Sequence, residues 1–130
     1  MMERNAQALM DGWQLGNVLA TDCPSRGILS HLTNRWGTLV MVALATGPHR
    51  FAELRRKVGG VSERMLSQTL KELGADGFVL RTAHPVVPPH VDYELTPLGV
   101  EAAGHVVALV GWIEGALPRI MAGKVALAAK

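Results

Sequence analysis

GGVSERMLSQTLKELGADGFV, running from Gly59 to Val79, is the stretch on which the fold turns. Ser62 suits the position before a helix, because its hydroxyl accepts a backbone N–H that the first turn leaves unpaired. Glu63 follows where the positive end of the helix dipole favours a carboxylate. Leu66, Thr69, Leu70 and Leu73 then recur at helical spacing as one apolar stripe. Arg64, Ser67, Gln68 and Lys71 occupy the opposite face. Gly74 and Gly77 weaken the helix at its end, and Phe78-Val79-Leu80 reads as a short strand. The stretch is therefore a helix that packs by one face and offers the other.

Upstream of it, Phe51, Leu54 and Val58 mark a short helix with Arg55, Arg56 and Lys57 towards water, and Gly59-Gly60 is the turn between the two. A further helix spans about Arg35 to Ala45 through Trp36, Leu39, Val40 and Ala43, and Gly47-Pro48 stops it. Asp22-Cys23-Pro24 begins another through Ile28, Leu29 and Leu32, interrupted near Asn34, since proline is favoured at a first helical position. Residues 3–20 fit an amphipathic helix through Leu9, Trp13 and Val18.

Downstream, the strand Phe78–Arg81 leads into HPVVPPH, whose prolines at 85, 88 and 89 stiffen a loop. Val91–Leu95 alternates as a second strand. Thr96-Pro97 then opens a long final helix that Pro118 ends or kinks. Short helix, glycine turn, amphipathic helix and two-stranded hairpin compose a winged helix-turn-helix in a mainly α (α+β) chain. Residues 1–22 are expected to be an N-terminal helical extension, residues 23–122 the winged domain with its final helix, and residues 123–130 a tail.

The bulk numbers fit one domain. A chain of 130 residues builds one real core and hardly two. Hydrophobic residues make up 48% and charged residues only 18%, with mean hydropathy +0.19, so some apolar surface is expected to lie against a partner subunit. Net charge is only +2, but between Gly47 and Arg81 seven Lys/Arg face four Asp/Glu, an excess of +3 around the opening helix. The uncharged runs Trp36–His49 and Ala102–Ile113 fall short of the roughly 18 to 20 apolar residues of a membrane span. Asp11, Gln14 and Asn17 interrupt any secretory core near the N-terminus. A cytoplasmic protein with no membrane partner is expected.

A helix that reads DNA needs side chains for base edges and phosphates. Arginine suits guanine or phosphate, glutamine suits adenine, and serine and lysine suit phosphate. Arg64, Ser67, Gln68 and Lys71 have that chemistry within two turns. A merely solvated helix face looks the same, and it is the basic helix before and the proline-braced hairpin after that favour DNA.

CPSRGILSHLTNRW, RFAELRRKVGGVSERMLSQTLKELGADGFVLR and VPPHVDYELTPLG resemble the HxlR-type family of bacterial winged-helix transcriptional regulators, over roughly Cys23 to Leu117. The resemblance implies a homodimer that binds double-stranded operator DNA through the helix starting at Ser62 and the wing between Arg81 and Tyr93. It makes Ser62, Arg64, Ser67, Gln68, Lys71, Arg81 and His90 the candidate DNA contacts. It also implies that the first and last helices build the dimer, and that the cysteine at position 23 is a candidate sensor of oxidants or electrophiles. Where the family usually carries arginine after the Pro-Pro of the wing, this chain has His90, and an aromatic is usual near His84. The inducer would be a small molecule or an oxidant.

Cys23 is the one cysteine, which rules out an intrachain disulfide and suits a reducing compartment. A helix start and nearby Arg26 favour its thiolate, while Asp22 opposes it. A small buried hydrophobe is the plainer reading. His31, His49, His84, His90 and His105 show no pair at metal-ligand helical spacing, so no metal or other cofactor is expected. No phosphate-binding loop or nucleophile elbow is present, and an enzyme is not expected. The competing class is a winged helix used only for protein–protein contact.

The final helix carries two stripes. Ala102, Val106, Leu109, Val110, Ile113 and Leu117 fall on one side, and Gly104, Ala108, Gly111 and Gly115 fall nearly opposite. Interior glycines cost roughly 1 kcal/mol each relative to alanine, which close approach of a second helix would offset. One stripe is expected to face the domain and the other the partner subunit, with Gly104, Ala108, Leu109, Gly111, Ile113 and Gly115 as candidate dimer residues. Drift towards small residues throughout the chain is the alternative account.

Overall fold

The computed structural model describes residues 17–129. Its elements run α1 (Pro24–Thr33), α2 (Arg35–Leu44), β1 (His49–Arg50), α3 (Phe51–Lys57), α4 (Glu63–Ala75), β2 (Val79–His84), β3 (His90–Leu95) and α5 (Pro97–Ala128). The amphipathic helix expected over residues 3–20 lies mostly outside the described residues, and residues 18–20 are turn and bend rather than helix.

Side-chain caps start three of the helices. Asn34 Oδ1 accepts the Gly37 N–H at 2.8 Å, Ser62 Oγ accepts the Met65 N–H at 3.1 Å, and Thr96 Oγ1 accepts the Gly99 N–H at 2.9 Å. Each satisfies one backbone donor that a helix start leaves open. Asn34 also explains the break between α1 and α2, because it is extended and closes one helix while capping the next.

The stripe read from the sequence is buried as a unit. Leu66 and Leu73 are fully buried, and Thr69 and Leu70 nearly so. They meet Val40, Met41 and Leu44 of α2, Leu54 of α3, Val58 and Val61 of the connecting turn, and Phe78 and Val79. Both helices of the helix-turn-helix are thus held by their apolar sides, which leaves their polar sides outside.

The sheet has three antiparallel strands in the order β1-β3-β2, one more than the expected hairpin. The added strand, His49–Arg50, pairs His49 with Tyr93 and Arg50 with Asp92. The buried His49 ring is held between the Gly47 carbonyl at 2.6 Å on Nδ1 and the Lys57 ammonium at 3.0 Å on Nε2, which ties β1 to α3. β2 and β3 pair from Val79↔Leu95 to His84↔His90, and residues 85–89 form the loop between them.

Helix α4 hands the chain to the sheet through a tight reversal. The Phe78 N–H bonds the Leu73 carbonyl at 3.0 Å and the Gly77 N–H bonds the Gly74 carbonyl at 3.0 Å. That pattern needs a residue at positive φ, and Gly77 supplies it at 86°. Gly99 meets a different requirement. A Cβ there would overlap the Phe78 carbonyl oxygen, so only glycine lets α5 start this close to the end of α4.

Helix α5 departs from expectation in two ways. It runs through Pro118 to Ala128, so residues 123–128, expected as a tail, continue it. A proline removes one backbone bond, and a helix already propagating through the preceding turns continues past that loss. Neither stripe covers the domain along its whole length. Gly99, Ala103 and Val106 are buried and Ala102 is half-buried, but Leu109, Ile113 and Leu117 are 41–51% exposed. The whole helix, unlike the uncharged runs within it, is long and apolar enough to cross a membrane by length and composition, with a window of mean hydropathy 1.4 that is only 11% buried.

Candidate nucleic-acid interface

The exposed side of α4 is a line rather than a patch. Arg64, Ser67 and Lys71 follow one another at i, i+3 and i+7 and all stand exposed. Among the described residues none of Arg56, Arg64, Lys71 and Arg81 is in an ion pair. Their charges are therefore available to an anion. Arg55 is not, since its guanidinium bonds Glu63 Oε1 at 2.9 Å across the helix-turn-helix.

Two other carboxylates, Glu72 of α4 and Asp76 just after it, are turned towards His31 of α1. Asp76 Oδ2 lies 2.6 Å from His31 Nδ1, and Glu72 Oε2 lies 3.9 Å from His31 Nε2. Gln68 joins that side, because its amide donates to Glu72 Oε1 at 2.9 Å. Gln68 lines the hollow between α4 and the α1–α2 corner with Ser30, His31 and Trp36. Its amide is engaged within the helix, unlike its neighbours on the exposed line.

The wing contributes from across a cleft. Ser67, Lys71, Val79, Arg81 and Tyr93 line one groove between α4 and the sheet. Arg81 pairs with Tyr93 and His84 pairs with His90, so an odd spacing along β2 puts Arg81 and the histidines on opposite faces of the hairpin. His90, expected as a DNA contact, stands on the face opposite Arg81, with its ring stacked on His84 at 4.5 Å and its Nε2 3.7 Å from Asp92 Oδ2. Ser62 serves as the helix cap, with its hydroxyl occupied by Met65 N–H.

His84, His90 and Asp92 form a grouping that helical spacing along the sequence does not reveal. Cross-strand register brings residues 84 and 90 together. The signal that marks them is a hairpin with histidines equidistant from its loop.

Cys23 sits just before α1, buried and in no disulfide. A hydrogen bond from the Ser25 side chain, helped by the Ser25 and Arg26 backbone, holds its pKa below the ordinary thiol value, against burial and the Asp22 charge. The dimer candidates Gly104, Ala108, Leu109, Gly111, Ile113 and Gly115 are all exposed along α5, and a Cβ at Gly104, Gly111 or Gly115 would meet nothing within 4 Å.

Likenesses to one known family and to three known proteins bear on this arrangement. Residues 31–121 match the HxlR-like helix-turn-helix family. The chain is 58% identical over 107 residues to the HTH-type transcriptional regulator YtfH of Escherichia coli K12, covering 82% of this chain and 85% of that one. The solved structure of the transcriptional regulator ytfH from Salmonella typhimurium superposes with a TM-score of 0.80 at 56% identity, covering 84% of this chain and 97% of that one. The redox regulator HypR in its oxidized form superposes with a TM-score of 0.66 at 34% identity, covering 72% of this chain and 96% of that one.

Proposed function

The chain belongs to the HxlR-like helix-turn-helix family of transcriptional regulators, and from that membership we propose that it binds operator DNA as a cytoplasmic homodimer. One observation carries the reading. Arg64, Ser67 and Lys71 stand exposed and unpaired along α4, while every large residue behind them is buried and Arg81 faces them across a groove. An α-helix fits the major groove of B-form DNA, and the flanking hairpin reaches the adjacent backbone. Arg64, nearest the start of α4, is assigned to base edges, and Lys71 and Arg81 to phosphates. Ser67 lies between them. Gln68 gives one amide N–H to Glu72 and keeps its other N–H and its carbonyl oxygen for a base. The exposed apolar length of α5 is assigned to the second subunit.

The test is a titration of duplex DNA at several salt concentrations. Each phosphate contact steepens the fall of affinity with salt, so Lys71→Ala lowers the slope by about one and weakens all sequences alike. Arg64→Ala costs about 1–3 kcal/mol on the specific site and flattens sequence preference. Affinity without salt dependence in the wild type, or both variants binding as it does, would favour a winged helix that contacts only protein.

Cys23 supports an oxidant-responsive form of this reading. Its lowered pKa leaves more thiolate at a given pH than a free thiol carries, and sulfur reacts as thiolate. The sign follows from the direction. Alkylation should rise with pH and reach half its limit below the ordinary thiol value, and modification should change DNA affinity. Cys23 as a residue is 7% exposed, so the limiting rate is set by access. A Cys23→Ser protein that answers oxidant as the wild type does overturns this part and leaves DNA binding untouched.

A further inference from the structure

The hairpin ends, at its loop, in a cluster of side chains that the DNA reading does not use. His84 and His90 are the last paired residues before the 85–89 loop, and Asp92 lies two residues along β3 on the same face. His84 Nε2 is 2.7 Å from Asp92 Oδ2 and His90 Nε2 is 3.7 Å from that oxygen. One donor atom from each residue lies within 4.8 Å of the other two. The side chains are half-buried, 26–37% exposed, so water reaches them on one side only.

The geometry points to a divalent transition-metal site of the zinc class, made by His84, His90 and Asp92 with water completing the coordination. Donors about 2.0–2.1 Å from a tetrahedral metal lie roughly 3.3 Å apart. The two distances to Asp92, 2.7 and 3.7 Å, stand on either side of that spacing. The backbone is already in register, so the ligands converge by side-chain rotation. The rings are stacked at 4.5 Å with planes 28° apart, and imidazole lone pairs lie in the ring plane, so they must tilt out of the stack to share one ion. Two imidazoles with one carboxylate select zinc, nickel, cobalt or copper over magnesium and calcium, which prefer oxygen. A plain His84–Asp92 ion pair explains two of the three residues. It gives no role to His90, which approaches the same oxygen from the other ring. Bound metal would staple β2 to β3 where the ladder ends.

The experiment is calorimetric titration of zinc into chelator-stripped, full-length protein. One equivalent per chain is expected. Affinity should fall at least about tenfold in His84→Gln, His90→Gln and Asp92→Asn, while Cys23→Ser and His31→Gln bind as wild type. Cobalt should give the visible bands of a tetrahedral site, lost in the same three variants. Magnesium should not compete. Should a wing variant fail to fold, zinc protection of His84 and His90 from diethyl pyrocarbonate in the wild type, mapped by mass spectrometry, tests the same ligands. No zinc uptake by the wild type, uptake that survives all three wing substitutions, or uptake lost with Cys23 or His31 overturns the assignment. None of these readings depends on DNA.

Discussion

Helices α4 and α5 meet at the same few residues but treat water differently. Helix α4 buries Leu66, Thr69, Leu70 and Leu73 and shows water almost only polar groups, Met65 being its exposed large hydrophobe. Helix α5 buries Gly99, Ala103 and Val106 near its start and Ala116 further on, while Val107, Leu109, Trp112, Ile113, Leu117 and Met121 stand 41–61% exposed. The first helix has completed its burial within the chain, so what it leaves outside suits a charged, hydrated partner. The second has not, and its open apolar length suits another apolar surface. Two kinds of exposed surface are thus separated onto two helices of one small domain.

Four substitutions, the last with a control, break or sharpen that contrast. The largest effect belongs to Leu66→Ala, which empties a fully buried position beneath the exposed line of α4. Loss of about 2–5 kcal/mol is expected in denaturant unfolding. A loss below about 1 kcal/mol would mean that α4 is not held by this stripe. Next comes the pair Gly99→Ala and Gly104→Ala. A methyl group at Gly99 overlaps the Phe78 carbonyl, whereas at Gly104 it meets nothing. Helix propensity favours alanine by roughly 1 kcal/mol at both sites. Overpacking against backbone exceeds that gain, so Gly99→Ala should lower stability by about 1–3 kcal/mol while Gly104→Ala leaves the folding of the single chain unchanged or slightly improved. Equal melting temperatures for the two would erase the distinction between the anchored and the open part of α5. The smallest expected effect on the chain itself is Gly111→Leu, because Gly111 is open on its own subunit. Its effect should appear in assembly, as a loss of about 1–3 kcal/mol of dimer stability in sedimentation velocity, with Glu114→Leu as the control. A variant that sediments and melts like wild type returns the glycines to compositional drift.

What the sequence makes legible is local. Ser62 and Thr96 cap helices with the hydroxyl bonds their residue types imply, and the Leu66–Leu73 stripe is buried because a helical period needs no distant information. What stays hidden depends on pairing. His49 and Arg50 carry no strand pattern of their own and become β1 only because β3 lies beside them. Strand β2 extends to His84, past the expected end at Arg81, for the same reason. The family resemblance places the helix from Ser62 and the hairpin that follows it. It does not separate Arg81 from His90, since facing follows from register and not from order along the chain. Gln68 resembles its neighbours in the sequence, and only its bond to Glu72 draws it to the other side. Pro118 reads as ending or kinking the helix, and the turns already formed before it are why the helix does not end there.

The Gly77–Gly99 junction has a mechanical consequence. Thr96 Oγ1 donates to the Gly77 carbonyl at 2.5 Å, and the Thr96 N–H bonds the Phe78 carbonyl at 3.0 Å. The root of α5, the exit of α4 and the start of β2 are therefore fastened to the same two peptide units. Helix α5 is 32 residues long, about 48 Å of stiff rod. It works as a lever whose fulcrum is this joint. A few degrees of tilt about this joint is expected to reach α4 as a rotation. The angle at which Arg64 and Lys71 are presented is therefore expected to follow how the distant end of the rod is held.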